Sequence, residues 1–229
     1  MRATGRLTIG VMGSASGRQP QETALKMRQL GRAIAERGHI IITGACPGLP
    51  YAAARGAQEV GGMSIGISPA LSLMEHEGRY GSPSDAYDVL IYTGSGLMGR
   101  EVLNIHSSDV IVIAGGRSGT LGEFANDYDE GRLIGVLTGT DGIADQVEEL
   151  VRICRKDTGA VLLYDDDPTR LIERLTEFFL NEHAAHPNCF FPWLPGEASA
   201  ANSAEHPPDT VAAAPLKRAR RPRQSEEHA

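Results

Sequence analysis

The chain has 229 residues, enough to bury the core of one large α/β domain or two small ones. With 41% hydrophobic and 22% charged residues it is composed like an ordinary globular protein, and no apolar run approaches the roughly 20 residues that span a bilayer. A formal net charge of -7 argues against generic nucleic-acid binding, which needs a basic footprint, yet leaves room for a small anion held by local backbone N–H groups.

Short β-branched runs alternate along the chain with longer helical patterns. Strands are expected at Leu7–Met12, His39–Thr43, Ser64–Ile67, Asp88–Tyr92, Asp109–Ala114, Leu133–Leu137 and Ala160–Tyr164. Helices are expected between them at Glu22–Arg37, Pro50–Val60, Gly99–Ser107, Thr120–Gly131, Gly142–Lys156 and Pro168–Glu182. Gly38 and Gly61 stop the first two helices, Asp141 and Asp167 cap the last two, and Pro168 suits a first turn. Runs such as Ile40-Ile41-Ile42 and Val110-Ile111-Val112-Ile113 lack polar alternation, so both sheet faces should be covered. The reading is one doubly wound, Rossmann-like α/β domain over residues 1–194, with a mostly parallel sheet of about seven strands and helices on both faces. From Pro195 to Ala229 apolar periodicity vanishes and Ala, Pro, Ser and Glu dominate, which reads as a disordered tail. Its basic cluster, Lys217 to Arg223, is matched in number by the tail's acids, which favours a solvated segment.

In such sheets ligands sit beyond the carboxyl ends of the strands. The loops there are Gly13–Gly17, Thr43–Gly48, Ile67–Asp85, Tyr92–Gly99, Ala114–Thr120 and Leu137–Gly142, most of them rich in Gly, Ser or Thr. The sharpest segment is Asp109 to Glu123, where a buried strand runs into Gly115-Gly116-Arg117-Ser118-Gly119-Thr120 and a helix opens. That helix start offers unpaired N–H groups and a positive dipole end to an anion. Glu123 lies within the first turn, and Arg100 follows the Gly94–Gly99 loop at the start of the preceding helix, so the sheet should bring both to one crevice. The alternatives are a Glu that merely complements the dipole and a surface arginine paired with Glu101. Asp127, one turn beyond Glu123, reads as an exposed structural residue rather than a second working carboxylate.

Other chemistries find little support. The first loop, Gly13-Ser14-Ala15-Ser16-Gly17, is not GxGxxG, no GxxxxGK[ST] occurs, and Lys26, Lys156 and Lys217 are not placed for Schiff-base chemistry. Cys46, Cys154 and Cys189 form neither a disulfide framework nor a zinc pair, and Cys46 reads as a small loop residue. No metal site is expected. Met1–Gly10 lacks an apolar h-region, so no signal peptide is expected and the cytoplasm is the expected compartment.

Gly115 to Glu123, with upstream Arg100, resembles the signature of the LONELY GUY (LOG) proteins, phosphoribohydrolases of the lysine-decarboxylase-like nucleotide-binding superfamily. The resemblance extends over roughly Leu7–Leu180 and includes the loops at Gly13–Gly17 and Thr43–Gly48. Against the LOG pattern PGGxGTxxE, Ala114 replaces the proline, one extra residue separates Gly116 from Gly119, and Glu101 stands where a lysine follows the arginine. These departures resemble a sister branch related to molybdenum-cofactor carriers. The resemblance implies hydrolysis of the N-glycosidic bond of a nucleoside 5′-monophosphate, with Glu123 and Arg100 catalytic and no cofactor required. It implies phosphate held by Gly115, Gly116, Ser118, Gly119 and Thr120, with Gly13, Ser14, Gly44 and Gly48 bordering the rest of the ligand. The sister branch implies instead a non-catalytic carrier or sensor of a phosphorylated pterin (the molybdenum cofactor) or nucleotide. A structural module with an unused pocket is a third alternative. Either family reading implies a homodimer or larger homo-oligomer.

Overall fold

Seven short runs become strands, and those apolar on both faces, such as Val110–Ala114 and Leu133–Leu137, call for a parallel sheet covered on both sides. In the computed structural model, which describes residues 5–15 and 19–183, these are β1 (Thr8–Gly13), β2 (Ile40–Thr43), β3 (Ser64–Ser68), β4 (Val89–Tyr92), β5 (Val110–Ala114), β6 (Leu133–Leu137) and β7 (Val161–Asp165). They form one sheet in the order β4-β3-β2-β1-β5-β6-β7, with every pairing parallel. The expected doubly wound architecture is therefore present. The expected tail, 195–229, and Ser16 and Gly17 of the first loop lie outside the described residues.

The helices are α1 (Gln21–Glu36), α2 (Leu49–Glu59), α3 (Leu73–Gly78), α4 (Gly96–His106), α5 (Ser118–Asp129), α6 (Val147–Cys154) and α7 (Pro168–Phe178). Alternate residues of β5 divide the core. Val110, Val112 and Ala114 join Met27, Leu30 and Ile34 of α1, Leu49 and Ala53 of α2 and Leu171 and Leu175 of α7. Ile111 and Ile113 face the other layer, with Ile105 of α4, Phe124 and Tyr128 of α5 and Val147 of α6. Each such fully buried aliphatic side chain contributes roughly 1.5–3 kcal/mol relative to exposure. Helices α1 and α2 cross in contact because two glycines let their backbones meet: a Cβ on Gly31 would lie 1.8 Å from the Ala53 carbonyl oxygen, and one on Gly56 2.0 Å from that of Arg28.

Three local expectations are corrected. Helix α4 starts at Gly96, three residues earlier than expected. The expected helix Gly142–Lys156 is a 3-10 turn (Ala144–Gln146) followed by α6, and Asp141 does not cap it. Asp141 takes a left-handed φ of 62° and donates its N–H to Asp145, whose carboxylate also accepts from Gly139. Within the expected loop Ile67–Asp85 lies α3, capped by Ser72, whose hydroxyl accepts from Glu75 N–H at 3.3 Å. By contrast Asp167 does cap α7, accepting from Arg170 N–H at 2.8 Å.

Candidate functional site

The strand order reverses between β1 and β5, because the chain proceeds outward from β1 to β4 and then crosses to β5 on β1's other side. At this switch point the loops after β1 and β5 diverge and leave a crevice at the strands' carboxyl ends. A cavity of ≈ 320 Å³ opens there, bordered by Gly13, Ser14 and Ala15 after β1, Gly44 and Cys46 after β2, Arg100 and Glu101 of α4, and Ser118, Gly119, Thr120 and Glu123 of α5. That volume falls within the roughly 300–1,000 Å³ of small-molecule sites.

The loop after β5 is shaped by its own hydrogen bonds. Gly115 N–H donates to Thr140 Oγ1 at 2.8 Å, and Gly116 N–H donates to Ser14 Oγ at 2.8 Å. Thr140 in turn donates to the Leu137 carbonyl oxygen, so β6 braces the turn after β5. Leu121 N–H makes the first bond of α5, to the Arg117 carbonyl oxygen at 2.9 Å. The preceding N–H groups, at Ser118, Gly119 and Thr120, thus form the open amino end of the helix, and no side chain caps them from Arg117. An anion is favoured there by both the donors and the helix dipole.

Three ionisable side chains converge on the same hollow. Arg100, Glu101 and Glu123 are respectively 7%, 9% and 7% exposed, and none has a hydrogen bond or ion pair to a described residue. The Arg100 guanidinium packs closely against the β2–α2 loop: a Cβ on Gly44 would stand 1.6 Å from Nη1. Burial pushes the Glu123 carboxyl up to about 7, with Arg100 pulling it down and Glu101 raising it further. Burial raises Glu101 as well, against the pull of Arg100. Buried charges without partners are costly, and a protein retains them where a ligand supplies the missing contacts. An acid titrating near neutrality beside a fixed cation can give or take a proton at working pH.

The SLOG cluster4 family model matches residues 6–172, which include every one of these side chains. The chain belongs to the SLOG cluster4 family. A protein of Archaeoglobus fulgidus is 34% identical over 131 residues, covering 57% of this chain and 80% of its own. Among solved structures, the Moco carrier protein of Chlamydomonas reinhardtii is 28% identical with a TM-score of 0.63, over 76% of this chain and 98% of its own. The molybdenum cofactor binding protein of Rippkaea orientalis is 28% identical with a TM-score of 0.61, again over 76% and 98%.

In this SLOG chain the structure sorts the residues singled out by sequence. Arg100, Glu123, Gly13, Ser14, Gly44, Ser118, Gly119 and Thr120 line one cavity. Gly48, Gly115 and Gly116 stand behind its wall. Gly48, at φ 83°, brings α2 against β1, where Leu49 N–H donates to the Ser14 carbonyl oxygen at 2.9 Å. Gly115 and Gly116 have their N–H groups engaged, so they set the shape of the turn. Sequence reasoning missed Glu101, although its position directly after Arg100 at a helix start was the available signal. Cys46 also lines the cavity, but burial pushes its thiol up to about 11, which leaves it protonated and a poor nucleophile. Asp127 is corrected outright: it is fully buried rather than exposed, neither carboxylate oxygen has a hydrogen-bond partner, and Arg132 Nε stands 3.5 Å away. Burial, reinforced by the nearby Glu123 and Glu130 charges, outweighs the pull of Arg132 and holds the Asp127 carboxyl well above the usual carboxylate range.

Proposed function

We propose that the cavity binds a small phosphorylated, nucleotide-like ligand and that Arg100 and Glu123 hydrolyse the N-glycosidic bond of a nucleoside 5′-monophosphate. The single observation that carries this reading is the meeting of Arg100 and Glu123, both unpaired, beside the uncapped amino end of α5. The phosphate takes the N–H groups of Ser118, Gly119 and Thr120 and the Thr120 hydroxyl. Arg100 positions the ribosyl group and offsets the ligand's charge. Bond cleavage develops positive charge at the anomeric carbon, which the Glu123 carboxylate stabilises while it takes a proton from the attacking water. Water adds to that carbon, the bond to the base nitrogen breaks, and the base leaves with the proton that Glu123 took from the water. No cofactor is needed.

The test is incubation of the full chain with AMP and other nucleoside monophosphates, with free base read by chromatography. Base release that Glu123→Gln abolishes supports hydrolysis. Tight nucleotide binding with no release from the wild type contradicts it.

A second reading, a non-catalytic carrier of a phosphorylated pterin such as the molybdenum cofactor, is favoured by the likeness to the two cofactor-binding proteins. The same anion site would hold the pterin's phosphate, with Arg100 and Glu123 hydrogen-bonding the ligand. A homodimer or larger homo-oligomer belongs to either reading. It is supported by the row of exposed apolar side chains on β4 (Val89, Ile91) and α4 (Leu97, Met98, Val102, Leu103). Among the described residues no helix is long and apolar enough to cross a membrane, and the cytoplasm is the proposed compartment.

A further inference from the structure

The loop after β5, Arg100 and Glu123 account for an anion and a reacting centre, but they leave Glu101 without a task. Glu101 follows Arg100 on α4 and faces the start of α5 across the hollow: a Cβ on Gly119 would lie 3.7 Å from its Oε1. It is 9% exposed, lines the cavity, and accepts no hydrogen bond from a described residue. Its two oxygens are acceptors only, unless protonated, and are held largely out of water without donors. A dianionic phosphate placed against them would be repelled, so the carboxylate serves another part of the ligand.

We propose that Glu101 accepts the two vicinal hydroxyls of the ligand's ribose and thereby selects ribonucleotides over 2′-deoxynucleotides. The inference rests on the nucleotide reading above and adds the sugar to it. In a nucleotide the group next to the phosphate is the sugar, and the base lies one unit further out. A carboxylate beside the phosphate-binding turn therefore meets the sugar first. Two adjacent hydroxyls match two free carboxylate oxygens, the pairing by which an acidic side chain holds ribose in other α/β nucleotide sites. Burial raises the Glu101 carboxyl in the empty site, against the pull of Arg100, and two donors arriving together favour its ionised form. Arg100, Glu123, Arg117 and Cys46 are the other titratable groups around the cavity, and Arg100 supplies the charge that balances the ionised carboxylate.

The experiment is calorimetric titration of the full chain with AMP, 2′-deoxy-AMP and inorganic phosphate, repeated with Glu101→Ala and Glu101→Gln. The wild type is expected to bind AMP about tenfold or more tighter than 2′-deoxy-AMP, the worth of one hydrogen bond to a charged acceptor. Glu101→Ala is expected to bring AMP and 2′-deoxy-AMP to equal affinity, AMP losing more because it loses both hydroxyl contacts where 2′-deoxy-AMP loses only that of its 3′-hydroxyl. Glu101→Gln, which keeps the shape and one acceptor, is expected to fall between. Equal affinity of the wild type for the two nucleotides overturns the inference while sparing the nucleotide reading. So does a Glu101→Ala effect that is the same on both nucleotides and on phosphate, since that is charge alone. If neither nucleotide binds the wild type, the nucleotide reading fails and this inference falls with it. The wild-type ratio needs no variant to fold.

Discussion

At the scale of single residues, Glu123 makes the strongest demand on the fold. Its carboxyl is held up to about 7 by burial, while an unfolded chain leaves it near its ordinary value of 4.5. Its contribution to stability is thus fully present below pH 4.5 and is lost as the pH rises through about 7. The unfolding midpoint of the ligand-free protein is expected to fall between pH 5 and pH 8. Glu123→Gln, neutral at every pH, should flatten that fall, and an unchanged slope in a thermal melt series would contradict the assignment. Gly44 makes a second residue-scale demand. Its space is needed by the Arg100 guanidinium, with no left-handed backbone involved. Gly44→Ala is expected to weaken AMP binding about tenfold, by displacing Arg100 from its charge-assisted contacts, while moving the unfolding midpoint little. Calorimetry and a melt on the same sample check both halves.

At the scale of elements, the β5–α5 connection depends on a brace from outside itself. Thr140, 3% exposed, satisfies the buried Gly115 N–H from the loop after β6. Thr140→Val leaves that donor unpaired and should cost about 1–3 kcal/mol in chemical denaturation, with nucleotide affinity falling as the turn loosens. On α5, buried Asp127 behaves like Glu123: its stability contribution is complete below pH 3.8 and is lost as the pH climbs toward its raised native value. Asp127→Asn should remove this part of the pH slope in the same melts.

The strands were legible because β-branched runs such as Val110–Ile113 admit few other fates, and the meeting of Arg100 and Glu123 at one hollow followed from the rule that ligands bind at strand carboxyl ends. What was not legible is of two kinds. Helix α3 is six residues long, too short for periodicity, although Ser72 and Glu75 stand at the spacing of a capping box. Asp127 and Thr140 depended on which helix face or loop turns inward, and no local pattern states that. Likewise a glycine-rich loop shows that backbone can come close. It does not show that Gly115 and Gly116 spend their N–H groups on Thr140 and Ser14.

At the scale of the whole molecule, the two ends of the sheet do different work. At the amino ends, Asp109 accepts from Thr8 N–H and Asp88 from Ser64 N–H, each at 2.7 Å, clipping neighbouring strands together. At the carboxyl ends, Arg100, Glu101 and Glu123 meet around a hollow without a hydrogen bond or ion pair to a described residue. The exposed apolar side chains of β4 and α4 are the proposed self-association face. Met98→Glu with Val102→Glu is expected to lower the sedimentation mass toward that of one chain, and wild type already sedimenting as a monomer would contradict that face.

The central claim is that Arg100, Glu123 and the amino end of α5 form one anion-binding site. Calorimetric titration of AMP into wild type and Arg100→Gln tests it most directly. The account predicts saturable one-site binding in the wild type and a loss of about tenfold to a hundredfold in the variant, the worth of charge-assisted hydrogen bonds in a shielded site. Saturable binding of equal strength in both proteins, or no binding to the wild type, would contradict it.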